Sequence, residues 1–226
     1  MTKRSLRKDK TQKQQPYYEC DGRKTNIRCA INNFPKYLNN LSKEQKKVVR
    51  EGFGSTLSVN LQYVPRKFGY WLVHNFDAEN DMINTDDEKI KIMADLIQKV
   101  FQIPNGKIKI EEKLSPKDTD LIIKFWRGQF NKELLKKLYI ADLIKDFEKR
   151  NELGRMFKLN FLAIFFTIMV EAMQSSNANP RFSLPSIKRN INIQDFGWCD
   201  YMLNCLRRTR KQWPEGDKTF NGPMDY

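Results

Sequence analysis

From Phe34 onward, apolar residues recur mostly at three- and four-residue steps, the spacing that collects them on one face of an α-helix. One such stretch opens with Ser42 and Gln45 in the order of a capping box, in which each side chain accepts from the backbone N–H of the other residue. Pro65 stands where another helix begins, a position that suits its fixed φ. The pattern predicts helices near residues 43–51, 65–76, 86–101, 121–126, 131–147, 153–173 and 195–211.

Two short segments depart from the helical spacing. Residues 56–63 (TLSVNLQY) alternate strictly between polar and apolar, which predicts a half-buried strand, and residues 107–111 (KIKIE) are a candidate for a second. Gly52 and Gly54 precede the first strand, and we expect glycine there to end the helix at a positive φ. The predicted fold class is therefore mainly α: a single helical domain with one or two short β-strands and a disordered basic N-terminal arm.

An acidic segment lies between the second and third predicted helices. Its polar residues fall at the ligand positions of a calcium-binding EF-hand loop: Asp77, Glu79, Asp81, Thr85 and Glu88. The match fails at Met82, where the loop needs glycine, and at Asn84, where it needs an apolar residue. We therefore expect an exposed acidic loop, with Thr85 capping the next helix and the carboxylates of residues 86–88 stabilising its N-terminus through the helix dipole.

The charge of the chain narrows the possible partners. There are 41 Lys and Arg against 27 Asp and Glu, a formal net charge of +14. Such a charge attracts polyanions, which makes DNA or RNA the first partner to consider and an acidic protein surface or an anionic membrane the second, with solubility alone as the third alternative. The sequence predicts a disordered basic arm (1–16), a helical domain (17–213) and a flexible tail (214–226). The candidate nucleic-acid-binding residues lie in the arm and near the end of the last helix: Lys3, Arg4, Arg7, Lys8, Lys10, Lys13, Arg207, Arg208, Arg210 and Lys211.

The sequence gives little support for catalysis or for a bound cofactor. The glycines of Gly52-Phe53-Gly54 lack the third glycine of a dinucleotide site, and His74, the only histidine, has no recognisable motif around it. The four cysteines lack zinc-site spacing and are expected to be reduced, with a labile metal or disulfide between Cys20 and Cys29 as the alternative. We expect no metal, no cofactor, no small-molecule ligand and no enzymatic activity.

Two further patterns concern the core and the membrane. At helical spacing among leucines, Trp71, Trp126 and Trp198 are expected in the core rather than stacked on bases. The longest apolar run, residues 161–170, is too short to cross a bilayer, which needs about 20 residues. No apolar stretch follows the basic N-terminus, so no secretory signal peptide is expected.

Three motifs occur in an order typical of a known family. They are Gly52-Phe53-Gly54 with Leu57, then Pro65-Arg66 with Trp71–Val73 and Asn75–Asp77, and finally Ile103–Gly106. With the later IQDFGWCDYMLNCL, they resemble the plant-specific, transposon-associated domain that commonly precedes a SUMO-protease-like cysteine peptidase. The chain is more distantly similar to the plant mobile domain of retrotransposon-derived proteins. The resemblance covers roughly residues 31–210.

The resemblance implies a helical, transposon-derived module that is nuclear, with a cytoplasmic location as the alternative. No catalytic residue is carried over, because the segments that surround the peptidase residues are missing around His74, Cys199 and Cys205. The expected function is non-catalytic association with nucleic acid or chromatin through basic surfaces. The alternative is a protein-interaction or regulatory domain of a truncated SUMO-protease-like transposon product, itself without peptidase activity.

Overall fold

The computed structural model describes residues 19–20, 33–58, 65–110, 121–130, 139–170 and 192–213. The chain is a single, mainly α domain with one small three-stranded antiparallel sheet, which confirms the predicted fold class. Both predicted terminal segments, 1–16 and 214–226, lie outside the described residues. In the described segments, no helix is both long enough and apolar enough to span a membrane.

The chain is a series of helices, and the three-stranded sheet lies between the third and the fourth α-helix. The α-helices are α1 (Asn33–Asn40), α2 (Lys43–Phe53), α3 (Arg66–Asn75), α4 (Ala94–Phe101), α5 (Leu121–Arg127), α6 (Ile140–Glu148), α7 (Arg155–Phe165) and α8 (Trp198–Gln212). The strands are β1 (Phe76–Asp77), β2 (Met82–Asn84) and β3 (Lys89–Lys91), in the sheet order β1-β2-β3.

The core is built around α7 and the π-helical turn that continues it to Val170. Every residue from Leu159 to Val170 is buried, and all but Asn160 and Thr167 are apolar. Its rings pack against those of other helices: Phe34 lies 5.7 Å from Phe165 between ring centroids, and Trp198 lies 4.7 Å from Phe166. Helix α7 therefore holds α1 and α8 in one core.

One buried polar cluster interrupts this apolar core. Asn160 on α7 accepts from the Trp126 indole N–H at 2.9 Å, and it exchanges two amide hydrogen bonds with Gln129. Arg150 then donates to the Gln129 side chain and backbone carbonyls at 3.2 and 2.9 Å. Each amide is paired, as burial requires, and the cluster fixes α5 and α6 against α7.

The start of α2 agrees with the sequence, but its end does not. Ser42 and Gln45 form both hydrogen bonds of the predicted capping box. The predicted positive φ is wrong, because Gly54 has φ −57° and the chain continues as the 3-10 helix Gly54–Ser58. The start of the predicted strand 56–63 is therefore helical, and residues 59–63 lie outside the described residues.

The prediction for the acidic segment is wrong in its structure. Residues 76–91 form the sheet instead of a loop and the start of a helix, and α4 begins only at Ala94. The Thr85 hydroxyl does accept from the Glu88 N–H at 3.0 Å, but this bond closes the turn between β2 and β3. The carboxylates of residues 86–88 consequently lie in that turn and not at a helix N-terminus. Each strand is only two or three residues long, which is too short for an alternating pattern to distinguish it from a loop.

The other predicted helices fit where they are described. The helices predicted at 121–126 and 153–173 are helical where they are described, apart from one or two terminal positions. The helix predicted at 195–211 begins at Trp198, and the one expected from 131 is helical from Ile140 onward in the described residues. Trp126 and Trp198 are fully buried, as expected, while Trp71 is half-buried and stacks on Phe68.

A crossing of two backbones explains the glycine at the end of the IPNG motif. The N–H of Gly106 donates to the Phe196 carbonyl at 2.8 Å, and the N–H of Gly197 donates to the Ile108 carbonyl at 2.9 Å. A Cβ at Gly106 would lie 2.1 Å from the carbonyl carbon and oxygen of Asp195. Only glycine allows this approach. Within the candidate strand 107–111, the described residues form just the single bridge at Ile108.

Candidate functional site

The predicted basic cluster at the end of α8 packs against the acidic turn between β1 and β2. Arg207 donates from Nε to Asp81 Oδ1 and from Nη2 to Asp81 Oδ2, both at 2.5 Å. Asp81 adopts a positive φ of 57°, which an aspartate tolerates better than most residues. The pairing raises the pKa of Arg207, chiefly through its hydrogen bonds to Asp81.

The neighbouring cations of the cluster also have contacts within the chain. Arg210 Nε donates to the Phe76 carbonyl at 3.2 Å, and Lys211 Nζ lies 2.8 Å from Glu79 Oε1. Arg208 contacts the Cys205 sulfur at 3.4 Å. Since Arg207, Arg208 and Arg210 are half-buried and only Lys211 is exposed, much of the charge of this cluster holds the sheet against α8.

The aromatic residue next to this cluster is not available for stacking on bases. Trp213 is 5 % exposed and packs with Val73 and Tyr70 in a small cluster of its own. Its ring meets Tyr70 edge to face at 5.6 Å, and the Arg210 guanidinium covers it at 5.3 Å from the centroid. Trp213 therefore stands beside the cations of α8, but its ring is buried within the fold. The six candidate residues of the arm, Lys3 to Lys13, lie outside the described residues.

Helix α2 carries a set of cations that was not selected from the sequence. Lys43, Lys47 and Arg50 are exposed and lie at positions i, i+4 and i+7, so they share one face of the helix. None of the three forms an ion pair with a carboxylate within the described segments. We call these three residues the α2 stripe. The spacing is readable in KEQKKVVR, but it looks like the solvated face of any amphipathic helix.

The three residues considered for catalysis are two buried cysteines and one half-buried histidine. Cys199 and Cys205 are fully buried, and burial raises the pKa of the Cys199 thiol to about 12, with Asp200 and Asp95 acting in the same direction. A thiol with so high a pKa is a weak nucleophile at neutral pH. His74 is half-buried, and its ring stacks on Tyr70 at 5.7 Å between centroids.

No group of three or more His, Cys, Asp and Glu side chains among the described residues is arranged to hold a metal ion. Asp81 and Glu79, two of the residues in the EF-hand spacing, instead pair with Arg207 and Lys211. Cys20 is buried, and Cys29 lies outside the described residues.

An apolar groove opens where the sheet meets three helices. It encloses about 110 Å³, and every residue that lines it is apolar: Leu72, Val73, Phe76, Ile83, Ile92, Leu96, Ile97, Val100, Phe101 and Leu206. Val100 is 64 % exposed at this groove. Large apolar side chains left open to water commonly mark a surface that binds another molecule.

Comparison with known proteins identifies a family but supplies no activity. No curated protein and no solved structure matches the chain. A family model described as a domain of unknown function, DUF8566, matches residues 27–225. This match spans all of the described helices and the sheet, and the chain therefore belongs to the DUF8566 family.

Proposed function

We propose that this protein is a non-catalytic module that associates with nucleic acid through basic surfaces, of which the α2 stripe is the best placed among the described residues. The observation that carries the proposal is the presence of three exposed cations on one helical face without ionic partners in the described segments. The transposon origin and the nuclear location belong to the proposal as well, and they rest on the sequence resemblance alone.

The dimensions of the stripe suit a phosphate backbone. From Lys43 to Arg50 the helix rises about 10 Å, at about 1.5 Å per residue. Along one strand of a duplex, phosphates succeed one another every 3.4 Å or so of axis. Three cations on one face can therefore each meet a phosphate, which would fix the helix along the backbone without reading the sequence.

The end of α8 is expected to contribute less to such binding. Arg207 and Lys211 are already paired with Asp81 and Glu79. Binding a phosphate would require those pairs to break, and the carboxylates left behind would repel it. Arg207 and Lys211 are therefore expected to bind a polyanion less readily than the residues of the α2 stripe.

The test is a salt titration of binding to duplex DNA, single-stranded DNA and RNA. The full chain is compared with a variant lacking residues 1–16 and with the triple variant Lys43→Glu, Lys47→Glu, Arg50→Glu. We expect affinity to fall steeply with salt, and the slope of log K against log [salt] to lose about one unit for each phosphate contact removed.

The matched control reverses three other exposed lysines, Lys99, Lys107 and Lys109, which changes the net charge by the same amount. Equal loss of affinity in both triple variants would mean that only net charge matters and that α2 is not an interface. An absence of binding at low salt would overturn the proposal as a whole.

The second candidate function is that of a protein-interaction or regulatory domain. It is favoured by the apolar groove beside the sheet, where Val100 lies open to water. A groove of this kind suits an apolar side chain of a partner better than it suits a phosphate.

A further inference from the structure

We propose that the outer edge of β3 is a docking site for a short, extended, acidic segment of a partner protein, which adds to the sheet as a fourth strand. This inference rests on the second candidate function and is independent of nucleic-acid binding. It follows from three properties of β3: the direction of its backbone groups, the division of its side chains between the two faces of the sheet, and its charge.

The hydrogen-bond register directs the backbone of two lysines outward. Strand β3 is at the edge of the sheet, with Ile90 opposite Ile83. The flanking pairs bond inward, because the Ile92 N–H donates to the Asp81 carbonyl at 2.7 Å and the Thr85 N–H donates to the Glu88 carbonyl at 2.9 Å. Bonded and non-bonded pairs alternate in an antiparallel ladder. The N–H and C=O groups of Lys89 and Lys91 therefore point away from β2, toward the open edge.

The side chains of β3 divide between two chemically different faces. Ile90 follows Ile83 and Phe76 across the sheet, so all three share the face that borders the apolar groove. Their exposure rises toward the edge, from 3 % for Phe76 to 39 % for Ile90. Lys89 and Lys91 project from the opposite face, since neighbouring residues of a strand alternate. All three residues of β3 are exposed.

Charge selects the partner. A second copy of this chain pairing edge to edge would bring lysines of two β3 strands together, and like charges opposite one another destabilise a sheet. Lysines on an edge strand are a common protection against such self-pairing. A segment with the order acidic, apolar, acidic has the opposite property. Its carboxylates would lie beside Lys89 and Lys91, and its apolar side chain would lie beside Ile90, toward the groove.

The turn before β3 limits the length of that segment. Asp86, Asp87 and Glu88 are exposed and precede the strand directly. Acidic residues of a partner that extend past Lys89 would meet these carboxylates and be repelled. The site therefore fits a short acidic stretch rather than a long polyanion, and strand addition of this kind obtains its affinity from main-chain hydrogen bonds and its specificity from alternate side chains.

The experiment measures binding of a fluorescein-labelled peptide in which Glu and Val alternate over seven residues, using fluorescence anisotropy with the full chain. One control peptide alternates Lys and Val, and another alternates Glu and Pro, which keeps the charge but removes the N–H groups a strand needs. We expect binding of the Glu-Val peptide only. Equal binding of the Glu-Pro peptide, or no binding of the Glu-Val peptide at millimolar concentration, would overturn the proposal.

A pair of variants locates the site. The double variant Lys89→Glu, Lys91→Glu is expected to weaken binding of the Glu-Val peptide by about tenfold or more, because two cross-strand charge pairs change from attractive to repulsive. The same variant is expected to bind the Lys-Val peptide. Lys107→Glu with Lys109→Glu makes the same charge change at exposed positions elsewhere and should leave both affinities unchanged. An equal loss in both double variants would contradict the proposal.

Amide hydrogen exchange distinguishes strand addition from nonspecific electrostatic binding of the peptide. Strand addition should protect the N–H groups of Lys89 and Lys91 and leave that of Ile90, which already bonds within the sheet, nearly unchanged. Peptide binding without this alternating protection would contradict the docking geometry. The triple variant of the α2 stripe should still bind the peptide, so failure of the nucleic-acid proposal and failure of this one are distinguishable.

Discussion

The guanidinium of Arg207 and the carboxylate of Asp81 form a two-pronged ion pair across 126 positions of sequence. The pair joins the last helix to the turn between β1 and β2. Arg207 is 35 % exposed and Asp81 18 % at the side chain, so water screens the pair only in part. A planar guanidinium that matches both carboxylate oxygens is the geometry in which arginine cannot be replaced by lysine. We therefore regard this contact as the main polar attachment of the sheet to α8.

A double-mutant cycle tests this attachment. The variants Asp81→Asn and Arg207→Gln, alone and together, should give a coupling energy of about 1 kcal/mol, near the upper end for partly exposed pairs. Asparagine is chosen because it also tolerates the positive φ at this position. The measurement is the free energy of unfolding in urea. The Lys211 and Glu79 pair, whose side chains are 53 % and 77 % exposed, is the matched control and should give a coupling close to zero. Equal coupling in the two cycles would contradict the special role of Arg207.

The sequence predicts most of the helices, although it misses α1 and starts α4 too early, and it does not predict this ion pair. Periodicity and the Ser42 capping box identify helices because the information lies within a few neighbouring residues. The pairing of Arg207 with Asp81 depends on a chain crossing that no local pattern encodes. In consequence, a cluster predicted as a free basic surface is largely engaged within the fold, and an acidic stretch predicted as a loop is a sheet.

The α2 stripe can be read from the sequence, but its significance cannot. Its spacing is readable in the sequence, but many amphipathic helices have lysines on the solvent side. Lys43, Lys47 and Arg50 have no carboxylate partners within the described segments, and this can be read only from the tertiary structure. Position 106 also shows a requirement that only the tertiary structure reveals, because the backbone of Asp195 leaves no room there for a Cβ.

Asp77 should make the β1–β2 turn sensitive to acid. Its carboxylate accepts from the Asn80 side chain at 2.7 Å and from the Glu79 N–H at 2.9 Å. These bonds, that of Asn80 first, hold the pKa of Asp77 below its usual value of 3.8. For a carboxyl with a lowered pKa, the stabilising contribution is complete above the unfolded pKa and is lost as pH falls through the folded pKa. The turn should therefore loosen only below about pH 4.

The measurement is an NMR titration of the Asp77 carboxyl, with exchange of the Asn80 amide followed in parallel. The variant Asp77→Asn should remove the acid-dependent change at Asn80. Asp86→Asn, which alters an exposed carboxyl in the other turn, should leave it in place. A normal midpoint for Asp77 would mean that its hydrogen bonds to Glu79 and Asn80 are absent in solution.

Two glycine-to-alanine substitutions should have effects of opposite sign. A Cβ at Gly106 would lie 2.1 Å from the Asp195 backbone, which cannot move without disturbing the start of α8, so Gly106→Ala should destabilise by about 3 kcal/mol. A Cβ at Gly52 would lie 3.7 Å from Gln194, an ordinary contact. Because alanine favours the helix, Gly52→Ala should stabilise by roughly 0.5 kcal/mol. Midpoints of urea unfolding measure both. A tolerated Gly106→Ala would contradict the close crossing of the two backbones.

Buried polar groups with and without partners should respond differently to removal. Asn160 accepts from Trp126 and Gln129 and donates to Gln129, so Asn160→Ala leaves buried donors unpaired and should cost about 2 to 3 kcal/mol.

The Tyr37 hydroxyl is buried and has no hydrogen-bond partner within the described segments. Burial raises the pKa of Tyr37, as expected for a phenol shielded from water. Tyr37→Phe should therefore be neutral or stabilise by up to about 1 kcal/mol.

Urea unfolding followed by tryptophan fluorescence measures both effects, provided that the slope with denaturant is unchanged between variants. Gln129→Ala completes the comparison, because it removes the other half of the amide pair and should cost a similar amount to Asn160→Ala. The double variant should cost less than the sum of the two, since the amide that each single change leaves unpaired is then removed as well, although the Trp126 indole N–H stays unpaired. Additive costs would show that the two amides do not act as a pair, and a destabilising Tyr37→Phe would show that the hydroxyl has a partner after all.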